Sequence, residues 1–441
     1  MSRVVLMTLI SGNNSVKGTV NDGMDVEFAL KMGKTLGNHY GSPIVVAVDG
    51  RNSNTMLKMA LMSGIMSVGC DVYDLGMVPT PLMQFYMVLH PEVTAGVTIT
   101  ASFSGQDING FRVMRSTGIE DPIFVEHSVE EISAVTGQVP GLEVGEVYKV
   151  TDFTEKYIDY ILSEVDEDKI RAAHLKVCVD CRNTAVAKIV SGILLKLSVE
   201  CLMLGGDASA VDESRMVKLG HVVKGQGLDL GISMEMDADH CLLTTAEGVP
   251  VQGDKTFAIL AKSILTNFKG SVVMPVNSST LMEDVVKENG GTVRFCKIGE
   301  QTVVSTVKET NAVLGGDIFG CIVIPGPFCT CDSIEGMVRI LEIIAKKGPL
   351  AQLVEGLPDY FISRGALELP EEKIGEALER YRLSRAGDQV DYTDGIKVYR
   401  DDGWILARHS NLKGHIKVYV QATSKETADR WLNETLEFFK K

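Results

Sequence analysis

Apolar residues in this chain fall in short runs of about five, each followed by a stretch in which they recur at helical spacing, and this grammar repeats three times. Ile44 to Val48 reads as a strand, Thr55 to Val68 as a helix, and Asp71 to Leu75 opens the next strand before Pro79-Thr80-Pro81. Lys176 to Cys181, Ala185 to Leu197 and Glu200 to Leu204 repeat the plan, and Ser271 to Pro275, Thr280 to Asn289 and Thr292 to Lys297 repeat it again. Strand, turn, amphipathic helix, strand is the α/β signature. The last segment differs. Pro370 to Arg382 reads as a charged helix, Gly395 to Tyr399, Trp404 to His409 and His415 to Ala422 alternate as strands, and Lys425 to Phe439 closes as a helix. That pattern predicts a small α+β domain with helices on one face of an antiparallel sheet.

One further run, Ala95 to Ile99, reads as a buried strand that ends in small residues. It leads into Thr100-Ala101-Ser102, so the Ser102 hydroxyl is expected at a strand's carboxyl end, where α/β sheets hold ligands. A serine so placed can act as a covalent phosphate carrier.

Composition narrows the function classes. With 441 residues the chain can hold about three or more domains. A formal net charge of −15 argues against a nucleic-acid surface, which needs clustered Lys and Arg, although a local basic cleft can still hold phosphates. No apolar stretch reaches the roughly 18 residues of a membrane span, and Val4 to Ile10 is too short for a signal segment. The expectation is a soluble cytoplasmic protein with no membrane or nucleic-acid partner. Nine cysteines follow no disulfide framework and read as packed thiols. Cys178 and Cys181 on one strand point to opposite faces, a poor zinc pair.

Several motifs carry a resemblance. Ala101-Ser102 with Asn109-Gly110-Phe111-Arg112 is similar to the phosphoserine loop TASHNPxxxNGxK of the α-D-phosphohexomutases, with Phe103-Ser104-Gly105 in place of His-Asn-Pro. Asp49-Gly50-Arg51-Asn52-Ser53 resembles GRDTRxSS, and Gly69 to Pro81 is close to GxDVxDLGxxPTP. The resemblance covers essentially the whole chain. It implies three topologically similar mixed α/β domains plus a C-terminal α+β domain around a central cleft, with boundaries at residues 1–150, 151–253, 254–366 and 367–441.

The resemblance also implies roles. Glu235-Met236-Asp237-Ala238-Asp239-His240 stands where the family has its DGDxDR metal loop. Glu235, Asp237 and Asp239 are then the expected Mg²⁺ ligands beside the Ser102 phosphate, because alternate carboxylates on an extended loop suit a hard cation. His240 replaces an Arg near the phosphate. Gly315-Gly316-Asp317-Ile318-Phe319-Gly320-Cys321 replaces the sugar-binding GGExSGH, keeping a shortened carboxylate at Asp317 and putting Phe319 and Cys321 where polar contacts stood. Arg408, Ser410, Asn411 and Lys417 stand in the loop that binds the non-transferring phosphate. Lys17 takes the place of a phosphate-contacting Arg, and Lys297 is retained from KTGH. Arg112 takes the place of a Lys credited with proton transfer. A guanidinium does not give up its proton near neutrality, so this change weakens base catalysis more than binding.

Three readings follow. The first is an Mg²⁺-dependent phosphomutase working through phospho-Ser102 on a small sugar phosphate, with a homodimer left open. The second is a non-catalytic paralogue, a binding or regulatory module for a phosphorylated metabolite or another subunit, and the third a phosphotransfer enzyme with an altered substrate. Plain alternatives stand beside each motif: solvated acids on a turn at 235–239, core Phe and Cys at 319 and 321, and a solvated turn at 408–417.

Overall fold

The computed structural model describes residues 10–12, 15–101, 104–121, 124, 132, 135, 137–151, 153–181, 185–205, 213–410 and 414–441. The chain divides into two compact units, Met1–Val251 with Ile324–Ala351, and Gln252–Val323 with Gln352–Lys441.

The first unit holds two sheets. Its larger sheet runs in the order Ile10–Gly12, Ser15–Val20, Ile108–Arg115, Ala95–Ile99, Ile44–Val48, Val72–Met77 and Val147–Lys149, with Gly23–Met24 beside Ser15–Val20. Ile44–Val48 lies parallel to both Ala95–Ile99 and Val72–Met77, while Ile108–Arg115 returns antiparallel to Ala95–Ile99. Central strands buried on both faces need continuous apolar runs, and every residue of Ile44–Val48 and of Ala95–Ile99 is buried. Helices Val26–Tyr40 and Asn54–Met66 cover one side through Met32, Leu36, Leu57 and Leu61. The second sheet pairs Lys176–Asp180 in parallel with Glu200–Leu204 and Leu230–Met234, then adds the antiparallel hairpin Cys241–Thr245. The helix Ser333–Lys347 belongs to the same unit, capped by Asp332, whose carboxylate accepts from the amides of Ile334 and Glu335.

The second unit also holds two sheets. Ser271–Pro275 lies parallel to Thr292–Cys296 and Leu314–Gly316, with Ile322–Val323 antiparallel at the edge. The C-terminal sheet is antiparallel throughout, in the order Phe361–Glu368, His415–Ala422, Gly403–His409, Ile396–Arg400, Val390–Asp391. Alternation sorts its two faces. Val398, Ile405, Ala407, Ile416, Val418 and Val420 pack with Ile374, Tyr381 and Phe439 of the flanking helices. Trp404, Leu406 and Tyr419 point the other way, into a cluster with Val276, Phe295 and Ile298 of the neighbouring sheet.

Three mixed α/β sheets and a C-terminal antiparallel sheet therefore make up the chain, as the repeated grammar predicts. The strands Glu200–Leu204, Ser271–Pro275 and His415–Ala422 begin and end where the apolar pattern puts them. The strand Phe361–Glu368 escapes that pattern, because as an edge strand it is nowhere fully buried. The reading of all nine cysteines as packed thiols is corrected at two positions. Cys70, Cys178, Cys181, Cys201, Cys241, Cys296 and Cys329 are free, but Cys321 and Cys331 are disulfide-bonded. Among the described residues no helix is long and apolar enough to cross a membrane.

Candidate active site

Buried polar side chains gather at the carboxyl ends of Ile44–Val48 and Ala95–Ile99. Asp49 follows the first strand and accepts hydrogen bonds from the Arg51 amide at 2.9 Å, from Asn54 Nδ2 at 2.7 Å and from Thr100 Oγ1 at 2.7 Å. Arg51, fully enclosed and ion-paired to Asp49, donates to the carbonyls of Ser104 at 2.9 Å and Ile108 at 3.0 Å, and to that of Gly105. Each such charge-assisted bond contributes about 1.5–3 kcal/mol, so this one side chain fixes the backbone that follows the serine motif. Asn109 extends the network through Nδ2 to Ser53 and Asn54, both at 2.8 Å. Lys17 reaches the other side of the motif, its Nζ donating to the Ala101 carbonyl at 3.1 Å. Ser102 itself lies outside the described residues.

The second element is the turn 235–240, which joins the antiparallel strands Leu230–Met234 and Cys241–Thr245. Ala238 sits at φ 60°, a left-handed conformation that costs a side-chain-bearing residue on the order of 1 kcal/mol and folds the turn back on itself. External contacts hold it there. Both the amide and the hydroxyl of Ser333 donate to the Ala238 carbonyl, at 3.0 and 2.8 Å, and the Thr80 amide donates to the Asp237 carbonyl at 3.2 Å. Arg215 anchors the strand end, ion-paired to Asp180 at 2.8 Å and donating to the Met234 carbonyl at 3.1 Å.

Arg112, on the strand Ile108–Arg115, reaches this turn. Its Nη1 donates to Asp237 Oδ2 at 3.1 Å and Asp239 Oδ2 at 2.8 Å, while its Nε donates to Glu120 Oε1 at 2.7 Å. Thr100 Oγ1 lies 3.4 Å from Asp237 Oδ2, so the strand that leads to the serine motif also touches the turn. On the far side His240 Nδ1 lies 3.2 Å from Asp239 Oδ1 and 3.3 Å from Glu235 Oε2. One donor atom from each of Glu235, Asp239 and His240 comes within 4.8 Å of the other two, and this trio can hold a metal ion. The Asp237 carboxylate, also expected as a ligand, contacts Arg112, Thr100 and Asp239.

The electrostatics divide the acids. Burial, with Asp239 beside it, holds the Asp237 carboxyl well above its usual range despite Arg112. Burial pushes Asp239 the same way, but His240 and Arg112 outweigh it and hold Asp239 well below. Burial disfavours a charged imidazole at His240, and the adjoining Asp239 and Glu235 more than offset this and raise it. Unequal neighbouring carboxylates of this kind mark functional clusters.

The remaining expected residues lie in the second unit. Asp317 Oδ1 accepts from the Phe319 amide at 2.8 Å and the Cys321 amide at 3.1 Å, so the carboxylate braces its own loop. Phe319 is 39% exposed, with the Arg364 guanidinium 5.7 Å from its ring centroid. Cys321 is buried, and Lys297 is exposed. On the C-terminal sheet Arg408 stands directly opposite Lys417, and Arg364 opposite Tyr419, which puts all three cations on one face. Burial and the charges of Arg408 and Arg364 lower the Lys417 ammonium. Arg408 is ion-paired to Asp394 at 2.9 Å, and the Ser410 amide donates to the His415 carbonyl at 2.9 Å, closing a loop whose Asn411 is outside the described residues.

Arg112, Glu235, Asp237, Asp239 and His240 thus come together in the first unit, and Arg408, Ser410 and Lys417 in the second. Sequence reasoning missed Glu120, which pairs with the buried Arg112, Arg215, itself buried and paired to Asp180, and Arg364. Its signal was its place on a strand that went unread.

Comparison with known proteins accounts for this arrangement. Residues 8–138 match the family description phosphoglucomutase/phosphomannomutase, alpha/beta/alpha domain I, and residues 252–361 match its domain III. A phosphoglucomutase/phosphomannomutase of Thermococcus kodakarensis is 31% identical over 445 residues, covering 97% of each chain. A probable phosphoglucosamine mutase of Methanopyrus kandleri is 29% identical, covering 98% of this chain and 97% of the relative. The crystal structure of a phosphoglucomutase/phosphomannomutase family protein from Burkholderia thailandensis superposes with a TM-score of 0.84 at 23% identity, over 98% of this chain and 96% of that one. With the shared fold and relatives that match end to end, the chain belongs to the α-D-phosphohexomutase family.

Proposed function

We propose that the protein is a sugar-phosphate mutase working through phospho-Ser102. A hydroxyl oxygen of the substrate bonds to phosphorus as the Ser102 oxygen–phosphorus bond breaks, with net transfer of the hydroxyl proton to the serine oxygen. The bisphosphate then returns its other phosphoryl group to Ser102. One observation carries the reading: Thr100 touches Asp237 and Lys17 holds the Ala101 carbonyl, so the residues leading into Ser102 lie against the acidic turn.

The roles follow from the contacts. Arg112 holds Asp237 and Asp239 with a permanent charge and is not the base. Arg51 fixes the backbone at 104–108, and Lys17 supplies a cation to the transferring phosphoryl group. The donors of the turn fit a divalent cation, Mg²⁺ in the first reading, and a cation bound there supplies charge neutralisation during transfer. Arg408, Ser410, Asn411 and Lys417 bind the phosphate that is not transferred, with Arg364 beside them.

A second reading, a paralogue that binds a phosphorylated metabolite or acts on a less hydroxylated substrate, is favoured by the sugar loop. There the Asp317 carboxylate is engaged by its own loop and an aromatic ring faces Arg364. Phosphopeptide mapping before and after incubation with Mg²⁺ and glucose 1,6-bisphosphate, beside a coupled mutase assay, separates the two. Phosphate on Ser102 that turns over with a hexose phosphate supports the mutase. Phosphate on Ser102 without hexose turnover points to another substrate. No phosphate under any condition, or full activity in Ser102→Ala, overturns the proposal.

A further inference from the structure

The acidic turn carries more than a set of carboxylates. The cation sites this turn resembles are built from oxygen donors alone, yet here an imidazole nitrogen lies between two of the acids. His240 Nδ1 is 3.2 Å from Asp239 Oδ1 and 3.3 Å from Glu235 Oε2. Those separations are long for charge-assisted hydrogen bonds, which run at about 2.7–2.9 Å. Both fall in the range of donors around one cation, since with metal–ligand distances of about 2.1 Å neighbouring ligands lie roughly 3.0 Å apart in an octahedron and roughly 3.4 Å apart in a tetrahedron, and Glu235 and Asp239 offer oxygens within 4.8 Å of each other.

The other contacts of the turn support the same assignment. Arg112 takes Asp237 Oδ2 and Asp239 Oδ2, which leaves Asp239 Oδ1 facing the imidazole, with Asp237 hydrogen-bonded beside it. A guanidinium on the second oxygen of a ligating carboxylate is the kind of outer contact that orients a metal ligand. The left-handed Ala238, clamped by Ser333, brings residues 239 and 240 back beside Glu235. The side chains are shielded without being sealed, since Glu235 and His240 are each 12% exposed and Asp239 3%. Two carboxylates and an imidazole whose Nδ1 proton leaves as the cation binds suit borderline cations, whereas Mg²⁺ prefers oxygen ligands in a near-ideal octahedron.

We propose that His240, through Nδ1, joins Glu235 and Asp239 as a ligand of a divalent-cation site, and that this site takes Mn²⁺ or Zn²⁺ in preference to Mg²⁺. The proposal rests on the reading of the turn as the cation site of the mutase. Its test does not depend on turnover.

The full-length protein, stripped with chelator, is titrated with Mn²⁺, Zn²⁺ and Mg²⁺ by calorimetry, and the Mn²⁺ complex is examined by pulsed electron paramagnetic resonance. The expected result is Mn²⁺ and Zn²⁺ affinity at least tenfold above Mg²⁺, with the nitrogen coupling of an imidazole ligand. His240→Gln removes that coupling and weakens Mn²⁺ binding at least tenfold, while Glu235→Gln weakens binding and keeps the coupling. Should His240→Gln fail to fold, the spectrum of the unaltered protein decides alone. Binding of Mn²⁺ without imidazole coupling, Mg²⁺ affinity equal to that of Mn²⁺, or no binding of any cation overturns the proposal, the last leaving an imidazolium ion-paired to both acids. The two proposals can fail separately. Ser102 that turns over phosphate with Mg²⁺ and no role for His240 sinks this inference alone, and imidazole-coupled Mn²⁺ with Ser102 never phosphorylated sinks the mutase reading alone.

Discussion

Replacing Arg112 with methionine tests whether this guanidinium is the electrostatic centre of the first unit. Three carboxylates depend on it. Glu120, Asp237 and Asp239 have side chains 1%, 0% and 3% exposed, and Arg112 contacts each of them. At an effective dielectric of about 20, a unit charge about 4 Å away contributes roughly 4 kcal/mol per pair before the desolvation that Arg112 itself no longer suffers. Breaking a buried pair on one side costs about 3–5 kcal/mol net. The cost should be local. Both tryptophans, Trp404 and Trp431, lie in the second unit, so their fluorescence reports that unit alone. In urea, Arg112→Met is expected to lower the stability of the first unit by about 3–5 kcal/mol, read by hydrogen exchange at the amides of Ile108–Arg115 and Leu230–Met234, while the tryptophan transition stays in place. Adding Glu120→Gln removes one stranded charge and should restore about 1.5 kcal/mol or more. A loss below about 1 kcal/mol in the single variant, or no recovery in the double, refutes the argument that Arg112 compensates these acids.

Other expectations follow from the same contacts. Glu335, with a side chain 4% exposed, is raised by burial, and further by Asp332, from 4.5 to about 7. A carboxyl raised in the fold costs stability above its folded value and regains it as pH falls toward the unfolded one, so Glu335→Gln should stabilise the protein at pH 8, by at most about 3.5 kcal/mol at about 1.4 kcal/mol per pH unit. The gain should fade to nothing by about pH 4.5, and denaturant titrations with equal stability of both proteins at pH 8 would rule this out. Gly395 adopts φ 94°, and a Cβ there would lie 2.5 Å from the Ala407 carbonyl and 2.6 Å from Arg408 Cβ. Gly395→Ala should therefore displace the Asp394–Arg408 pair and lower the second unit's tryptophan-monitored stability by more than about 1 kcal/mol. An unchanged transition would show that the sheet yields there at no cost. Arg408→Met removes a cation from the face shared with Lys417 and Arg364, and should raise KM for a sugar phosphate at least tenfold with a smaller effect on kcat. A fall in kcat at constant KM would place Arg408 in the chemical step instead.

What could be read in the sequence alone was whatever depends on neighbours along the chain. Ala95–Ile99 and Ser271–Pro275 are apolar because the strands are buried on both faces, and His415–Ala422 alternates because one of its faces meets helices. Such periodicity needs no knowledge of the partner strand, so the three α/β sheets and the antiparallel C-terminal sheet were legible. Strand order was not, because pairing Ala95–Ile99 with both Ile44–Val48 and Ile108–Arg115 joins segments about 50 and 15 residues away.

The same division runs through the site. The acids at 235, 237 and 239 were legible as a group, and alternation predicted that all three turn inward, as they would on an extended loop. Ala238 at φ 60° breaks that premise, because one left-handed residue, clamped by Ser333 from nearly a hundred positions away, reverses the chain. His240 then stands beside Glu235 and Asp239, and Arg112 bridges Asp237 and Asp239. Local pattern therefore named the residues, and the long-range contacts of Ser333 and Arg112 decided which of them face one another.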